Sequence, residues 1–140
     1  MIETERKVIA SLYFKGLDLD PLEVTKVLGV NPTVSHGRGE IHKTSSGNEF
    51  ATKTGFWGLV VNRDSAEVSD VVMELLAILK GNHPPWNISG LQEAYFDIFI
   101  AVSLDEDCDG TCAMELPSVQ MRALAQYSLP VRITVTMGHP

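Results

Sequence analysis

Residues 7–14 and 129–137 alternate apolar and polar residues, as a strand with one face against a core does. In residues 7–14 the side chains of Val8, Ala10, Leu12 and Phe14 fall on one side. A period of two residues is that of a β-strand, because successive side chains point to opposite faces. The most hydrophobic segment predicts a further strand over residues 95–104, and the apolar run at residues 56–63 predicts another.

Two apolar patterns have helical spacing and carry helix start signals. The run Asp-Pro-Leu-Glu at residues 20–23 predicts a helix over residues 21–28, with the aspartate as N-cap, the proline at the first position and Gly29 as the left-handed stop. Apolar residues at helical spacing from Val68 to Leu79 predict a longer helix that begins after Asp64 as its N-cap and ends at Gly81. The longer helix supplies most of the helical contribution to the core.

The remaining segments have weaker signals. They predict a strand within residues 34–42, a polar mobile loop over residues 43–55, a short strand over residues 111–116 and a third helix over residues 117–128. The resulting order is β-α-β-β-α-β-β-α-β in a single α+β domain spanning residues 1–140. This order favours a mostly antiparallel sheet with helices on one face, ferredoxin-like or related.

The charge of the chain limits the classes of partner that it can bind. The net charge is −7, and residues 81–140 contain only two basic residues against seven acidic ones. Nucleic acid and anionic membrane surfaces both require clustered basic residues, so neither is expected to bind. No apolar run reaches the roughly 20 residues that span a bilayer, and the charged N-terminus lacks a signal-peptide pattern. A cytoplasmic protein is expected.

The run LDEDCDGTCA at residues 104–113 has the strongest local concentration of candidate ligands. Asp105, Asp107 and Asp109 match the first half of a calcium loop, but the twelfth position is Leu116 instead of glutamate. A solvated hairpin turn at the Asp-Gly pair explains the run better, so no metal or cofactor is predicted. The two cysteines, four positions apart, could pair across such a hairpin or remain reduced thiols.

Other candidates for a binding surface are few. Arg38 and Glu40 in the run HGRGE could hold an anion, although a surface ion pair on a bulged strand is the more ordinary interpretation. Trp57 and Trp86 could mark a binding face, although a tryptophan in or near a strand more often packs in the core. The nucleophile, zinc and phosphate-loop motifs of common enzymes are missing from the sequence, so catalysis is not expected.

Four segments of the chain form a recognisable series: SLYFKGLDLDPLEVTKVLGVNPT, GRGE, GFWGLVV and the closing MRALAQYSLPVRITVTM. This series, which extends over nearly the whole chain, resembles a bacterial family, domain of unknown function 4279. The resemblance implies an α+β domain that stands alone, and it implies no activity.

Three functions are compatible with these observations. The first is a non-catalytic protein-interaction module, similar to an immunity protein or an adaptor, that binds a basic partner through the acidic residues 81–140. The alternative is a small-ligand-binding regulatory domain, by analogy of fold alone, and an enzyme of unknown type is the third. The last strand could also pair between copies at a sheet edge, which makes a homodimer a further hypothesis.

Overall fold

The computed structural model describes residues 6–81, 86–103 and 113–138. Its strands are β1 (Arg6–Gly16), β2 (Val34–His36), β3 (Ile41–Lys43), β4 (Glu49–Ala51), β5 (Gly55–Asp64), β6 (Glu93–Ser103) and β7 (Val131–Gly138). Its helices are α1 (Pro21–Leu28), α2 (Val68–Leu79) and α3 (Ser118–Ala125).

Five strands form one mixed sheet in the order β2-β5-β1-β6-β7. All its neighbouring strands are antiparallel except β6 and β7, which are parallel and are connected through α3. The predicted α+β class with a mostly antiparallel sheet is therefore confirmed. The ferredoxin-like arrangement is not confirmed, because the sheet has five strands and includes a parallel pair.

The order of elements differs from the prediction in three places. The single strand predicted within residues 34–42 is two strands, β2 and β3, which belong to different sheets. The segment predicted as a mobile loop, residues 43–55, contains β4, which pairs with β3 in a separate two-stranded sheet. Residues 113–116, the described part of a predicted strand, form no strand. The reason is that β6 is already paired with β1 on one edge and with β7 on the other. A strand that directly followed β6 would have no free edge of it to pair with.

The helix termini follow local capping chemistry in α1 but not in α2. Asp20 accepts a hydrogen bond from Leu22 N at 3.0 Å, and Gly29 ends α1 in the left-handed conformation with φ 69°. The predicted N-cap of α2, Asp64, is instead the last residue of β5, where pairing with Lys7 of β1 extends the strand. The N-cap position is Glu67, whose side chain makes no capping bond.

One hydrophobic cluster joins the sheet to all three helices. The even-numbered residues of β1 from Val8 to Phe14 are fully buried, and they pack with buried residues such as Val24 of α1, Leu75 of α2 and Leu124 of α3. The predicted face of β1 is thus the core face. Burial of this apolar surface provides the main stabilisation, at roughly 25 cal/mol per Å².

Tyr127, which follows α3, is buried at the edge of this cluster. It is 2% exposed and packs edge-on against Phe96 with ring centroids 5.3 Å apart. Burial raises the pKa of the Tyr127 hydroxyl above its ordinary value of 10.0, and a hydrogen bond with the backbone of Gly81 opposes this only in part. The folded chain therefore holds this proton more tightly than the unfolded chain.

This pKa shift predicts a loss of stability in alkali. The contribution of Tyr127 to the free energy of unfolding should be complete below about pH 10, where the unfolded tyrosine is still protonated, and should fall as the pH rises toward the folded-state pKa. Denaturant unfolding between pH 8 and pH 11 measures the slope. Tyr127→Phe should show a shallower decline than the wild type above pH 10, and parallel curves would contradict the assignment.

Candidate functional site

The two tryptophans singled out in the sequence lie within the packed interior. Trp57 is 0% exposed, stands edge-on to Phe14, and donates from Nε1 to Thr25 Oγ1 at 3.0 Å. Trp86 is partly buried against Phe14 and donates from Nε1 to the backbone oxygen of Tyr127 at 2.5 Å. Both indole N–H groups already have partners, so neither tryptophan presents a free donor to a binding partner.

The run HGRGE forms the turn between β2 and β3. Arg38 makes an exposed ion pair with Asp18 at 2.8 Å, and the Glu40 carboxylate accepts a hydrogen bond from Gly37 N. Gly39 has φ 86°, a conformation that glycine adopts without strain. These contacts hold the turn together and tie it to the loop before α1. The turn thereby positions the hairpin formed by β3 and β4.

The calcium-loop candidates Asp105, Asp107 and Asp109 lie outside the described residues, as do both cysteines. Within the described ranges, no group of three or more histidine, cysteine, aspartate or glutamate side chains is placed to hold a metal ion.

The surface that stands out is the sheet face opposite the three helices, which we call the open face. It carries the odd-numbered residues of β1 and β6 and the even-numbered residues of β5, as the strand register shows. Most of these side chains are half-buried, and the described helices all pack on the other face. In an ordinary two-layer domain such a face would carry polar residues.

Six rings in mutual contact cross the open face and continue onto the β3–β4 hairpin. Neighbouring ring centroids along this aromatic row are 5.3 to 6.0 Å apart. In order, the row consists of Tyr95, Tyr13, Phe56, His36, His42 and Phe50. Each ring comes from a different strand, so the row crosses the strands at a steep angle. Cross-strand aromatic pairs stabilise a sheet, but they do not require the outermost ring, Phe50, to be 49% exposed.

Two cations, Lys15 of β1 and Arg132 of β7, lie at the Tyr95 end of the row. Lys15 donates from Nζ to the Tyr95 hydroxyl at 2.8 Å and stands 5.1 Å from the centre of that ring. The guanidinium carbon of Arg132 lies 3.7 Å from the same ring centre, and Arg132 also pairs with Glu93. Both contacts have cation–π geometry. Tyr95 is therefore held rigidly between two cations.

Asp97 is the carboxylate that the open face leaves available. It lies two residues beyond Tyr95 on the same side of β6 and is half-buried. Its side chain makes no hydrogen bond or ion pair with any residue of the described ranges. Arg132 of β7 stands opposite Asp97 in the strand register but pairs with Glu93, so the Asp97 carboxylate can accept a cationic side chain from outside.

Sequence reasoning missed this row, although one signal for it was present. In β1 and β5 the alternation assigns Phe14 and Trp57 to the core, which puts their neighbours Tyr13 and Phe56 on the opposite face. Aromatic residues at the polar positions of alternating strands indicate a second apolar face. Their contact could not be predicted, because it depends on the strand order.

A cavity of about 560 Å³ opens at the other end of the sheet, where β1 begins and β5, β6 and β7 end. Its polar lining includes Lys7, Asp64, Ser65, Ser103 and Thr136. A cavity of this volume is in the range that holds a small molecule.

Fold and site together define an α+β domain whose sheet is covered by helices on one face and carries an aromatic row on the other, from Tyr95, which is 6% exposed, to Phe50, which is 49% exposed. A family model, domain of unknown function (DUF4279), matches residues 5–138, and the chain belongs to this family. No curated protein and no solved structure matches the chain. As for the membrane, none of the helices in the described ranges combines the length and the apolar character needed to cross it.

Proposed function

We propose that this protein is a non-catalytic interaction module that binds a basic protein partner through the open face. The aromatic row supports this most strongly, because it leads from the buried Tyr95 through four half-buried rings to the exposed Phe50, and aromatic residues dominate protein interfaces. The row is held on paired strands, so it needs little ordering when a partner binds. Low ordering cost favours affinity.

The charge of the chain defines the partner's chemistry. A net charge of −7 attracts a basic protein over long distances and raises its association rate. At short range, Asp97 offers an unpaired carboxylate beside Tyr95, and the outermost ring, Phe50, which is 49% exposed, offers a face on which an arginine can stack. Asp97 belongs to the acidic residues 81–140, so the part of the chain that attracts a basic partner over a distance also contacts it in the complex.

The binding experiment compares variants whose effects on the fold are small. The probes are basic proteins encoded next to this protein's gene, purified and titrated in a calorimeter. Phe50→Ala and Asp97→Asn should each weaken the dissociation constant by about tenfold or more, as expected for interface hot spots. Rising salt should also weaken binding, because surface charges are screened.

Matched controls distinguish the effect of changing the row or Asp97 from the effect of any change in the hairpin or in net charge. Ile41 is exposed on the same hairpin but on the face away from the row, so Ile41→Ala should leave binding unchanged. Asp70→Asn makes the same charge change on α2, and it should have little effect. Binding that is indifferent to salt and to both row variants would refute the proposal.

A second candidate function follows from the cavity of about 560 Å³ at the end of the sheet. A cavity with this polar lining favours a small polar ligand and thus a regulatory ligand-binding domain. A thermal-shift screen with amino acids, nucleotides and divalent metal ions tests it, since a ligand that binds only the folded state raises the unfolding temperature. If no compound raises that temperature, this second candidate is removed.

A further inference from the structure

The edge strand β7 carries an apolar stripe that is exposed on the core side of the sheet. Its members pair in register with buried residues of β6, so they lie on the same face as the core. They are nevertheless open to solvent, and Ile133 is 62% exposed. The stripe consists of Val131, Ile133, Val135 and Met137.

The stripe is uncovered because the helices do not extend over it. Among the described elements β7 packs extensively only against β6, whereas α2 packs against β1, β5 and α3. A small apolar groove of about 210 Å³ remains beside Ile133 and Val135, with Ile98 at its base and Leu116 at its side. Within the described ranges, the core face of β7 is therefore not covered by a helix.

Among the described strands, β7 pairs only with β6, so its outer edge has no described partner. Phe96 N donates to Pro130 O at 2.9 Å, so the backbone at Pro130 points toward β6. Along a strand these groups alternate in direction, which turns the N–H and C=O groups of Val131, Ile133 and Val135 toward the free edge. The opposite sheet edge is β2, with only three residues, whereas β7 has eight.

The usual defences of an edge strand are missing from β7. Lysine, an internal proline and inward-pointing charges protect such edges in other proteins. The sole charged residue of β7, Arg132, lies on the open face and is neutralised by Glu93. In a chain of net charge −7, this edge is thus a neutral, apolar strip on which two copies could meet without close repulsion.

We propose that β7 pairs with β7 of a second copy of this chain, antiparallel and about a twofold axis near Thr134. In this register Ile133 faces Val135 of the second copy and Val131 faces its Met137, so the two stripes join into one apolar surface. The same pairs are those whose backbone groups point outward, so hydrogen bonding and side-chain packing agree. On the other face, Arg132 meets a threonine instead of a like charge.

The proposed occupant is a second copy of this chain, because a segment as acidic as residues 104–112 could cover an apolar stripe only by burying charge. A second copy supplies an identical apolar stripe and an identical unpaired edge, which is the self-complementarity that a twofold interface requires.

The test is the molecular mass of the full chain in solution, measured by sedimentation equilibrium over a wide concentration range. The expected species at high concentration has twice the chain mass of 15.3 kDa. Because two chains of net charge −7 repel each other, added salt should tighten the dimer. This is the opposite of the salt effect expected for a basic partner, so the two proposals can fail independently.

Two variants and one control assign the interface. Ile133→Lys places a charge on the stripe, and Val135→Pro removes an outward N–H; each should weaken the dimer by about tenfold or more. Leu22→Lys makes the same apolar-to-charged change on α1, where Leu22 is 67% exposed, and it should leave the dimer unchanged. Circular dichroism confirms that each variant is folded, and Ile133→Lys alone suffices if Val135→Pro fails to fold.

A chain that stays monomeric at every concentration overturns the proposal. So does a dimer that both folded edge variants leave intact, because it would use another surface. Phe50→Ala, which alters the aromatic row, should not affect the dimer.

Discussion

Replacing Gly55 with alanine should destabilise the protein by about 3 kcal/mol or more, the upper end of the range for overpacked sites. A Cβ at Gly55 would lie 1.8 Å from the backbone oxygen of Leu19, which is itself 2% exposed. Neither atom can rotate away, because the oxygen belongs to the backbone of Leu19 and the Cβ is bonded directly to the backbone of residue 55. The loop before α1 would have to move off the start of β5.

The crowding at Gly55 belongs to a junction where loops pack directly against strand ends. A Cβ at Gly16 would meet the backbone oxygen of Gly90, also at 1.8 Å, and Gly90 has φ 82°. Because glycines stand on both sides of this junction, the backbones of the loops and of the strand ends can come into direct contact. Loss of the junction would release Leu19 from the core.

Denaturant unfolding of the wild type and Gly55→Ala gives the difference in free energy directly. Gly138→Ala is the matched control, since a Cβ at Gly138 meets nothing within 4 Å and its φ is not positive. The control should change the free energy of unfolding by less than about 0.5 kcal/mol. Equal effects of the two substitutions would contradict the crowded junction.

Replacing Trp57 with alanine should cost about 3–5 kcal/mol, the range for removing a large buried aromatic residue. The ring is 0% exposed, and it packs edge-on to Phe14 with centroids 5.6 Å apart. Its removal leaves a cavity between β5 and α1. A loss of this size is a large part of the roughly 5–15 kcal/mol that stabilises a domain.

The variant Trp57→Phe separates the packing of the ring from its hydrogen bond. It keeps a ring against Phe14 but lacks the Nε1 donor to Thr25, whose hydroxyl still reaches the backbone oxygen of Pro21 at 3.4 Å. It should therefore cost less than half as much as Trp57→Ala in the same unfolding measurement. If both variants unfold like the wild type, Trp57 cannot be the core residue described here.

The long elements could be predicted because their signals are local. The period of two residues gave β1 and β7, hydrophobic runs gave β5 and β6, and the capping residues around Asp20 gave α1. The hairpin of β3 and β4 could not be predicted, because each strand has three residues, too few for an alternation to be recognised. The absence of a strand at 113–116 depends on which edges of β6 are occupied, and this is a property of the whole sheet.

The candidate site was harder to predict than the fold. Trp57 and Trp86 were candidates for a binding face because they are large, but the size of a residue does not determine which face of a strand its ring occupies. The alternation around Phe14 and Trp57 did place Tyr13 and Phe56 on the opposite face. That these two rings touch, and that Tyr95 completes the contact, requires β1 to lie between β5 and β6.

The sequence by itself determined where the chain is extended or helical, which residues of each long strand face the core, and the acidic charge of the molecule. These properties depend on side chains within a few positions of one another. Only the tertiary structure decided the order of the strands, and with it the aromatic row and the unprotected edge of β7. The physical reason is that strand pairing joins backbone groups far apart in sequence, and those groups are chemically the same in every residue except proline.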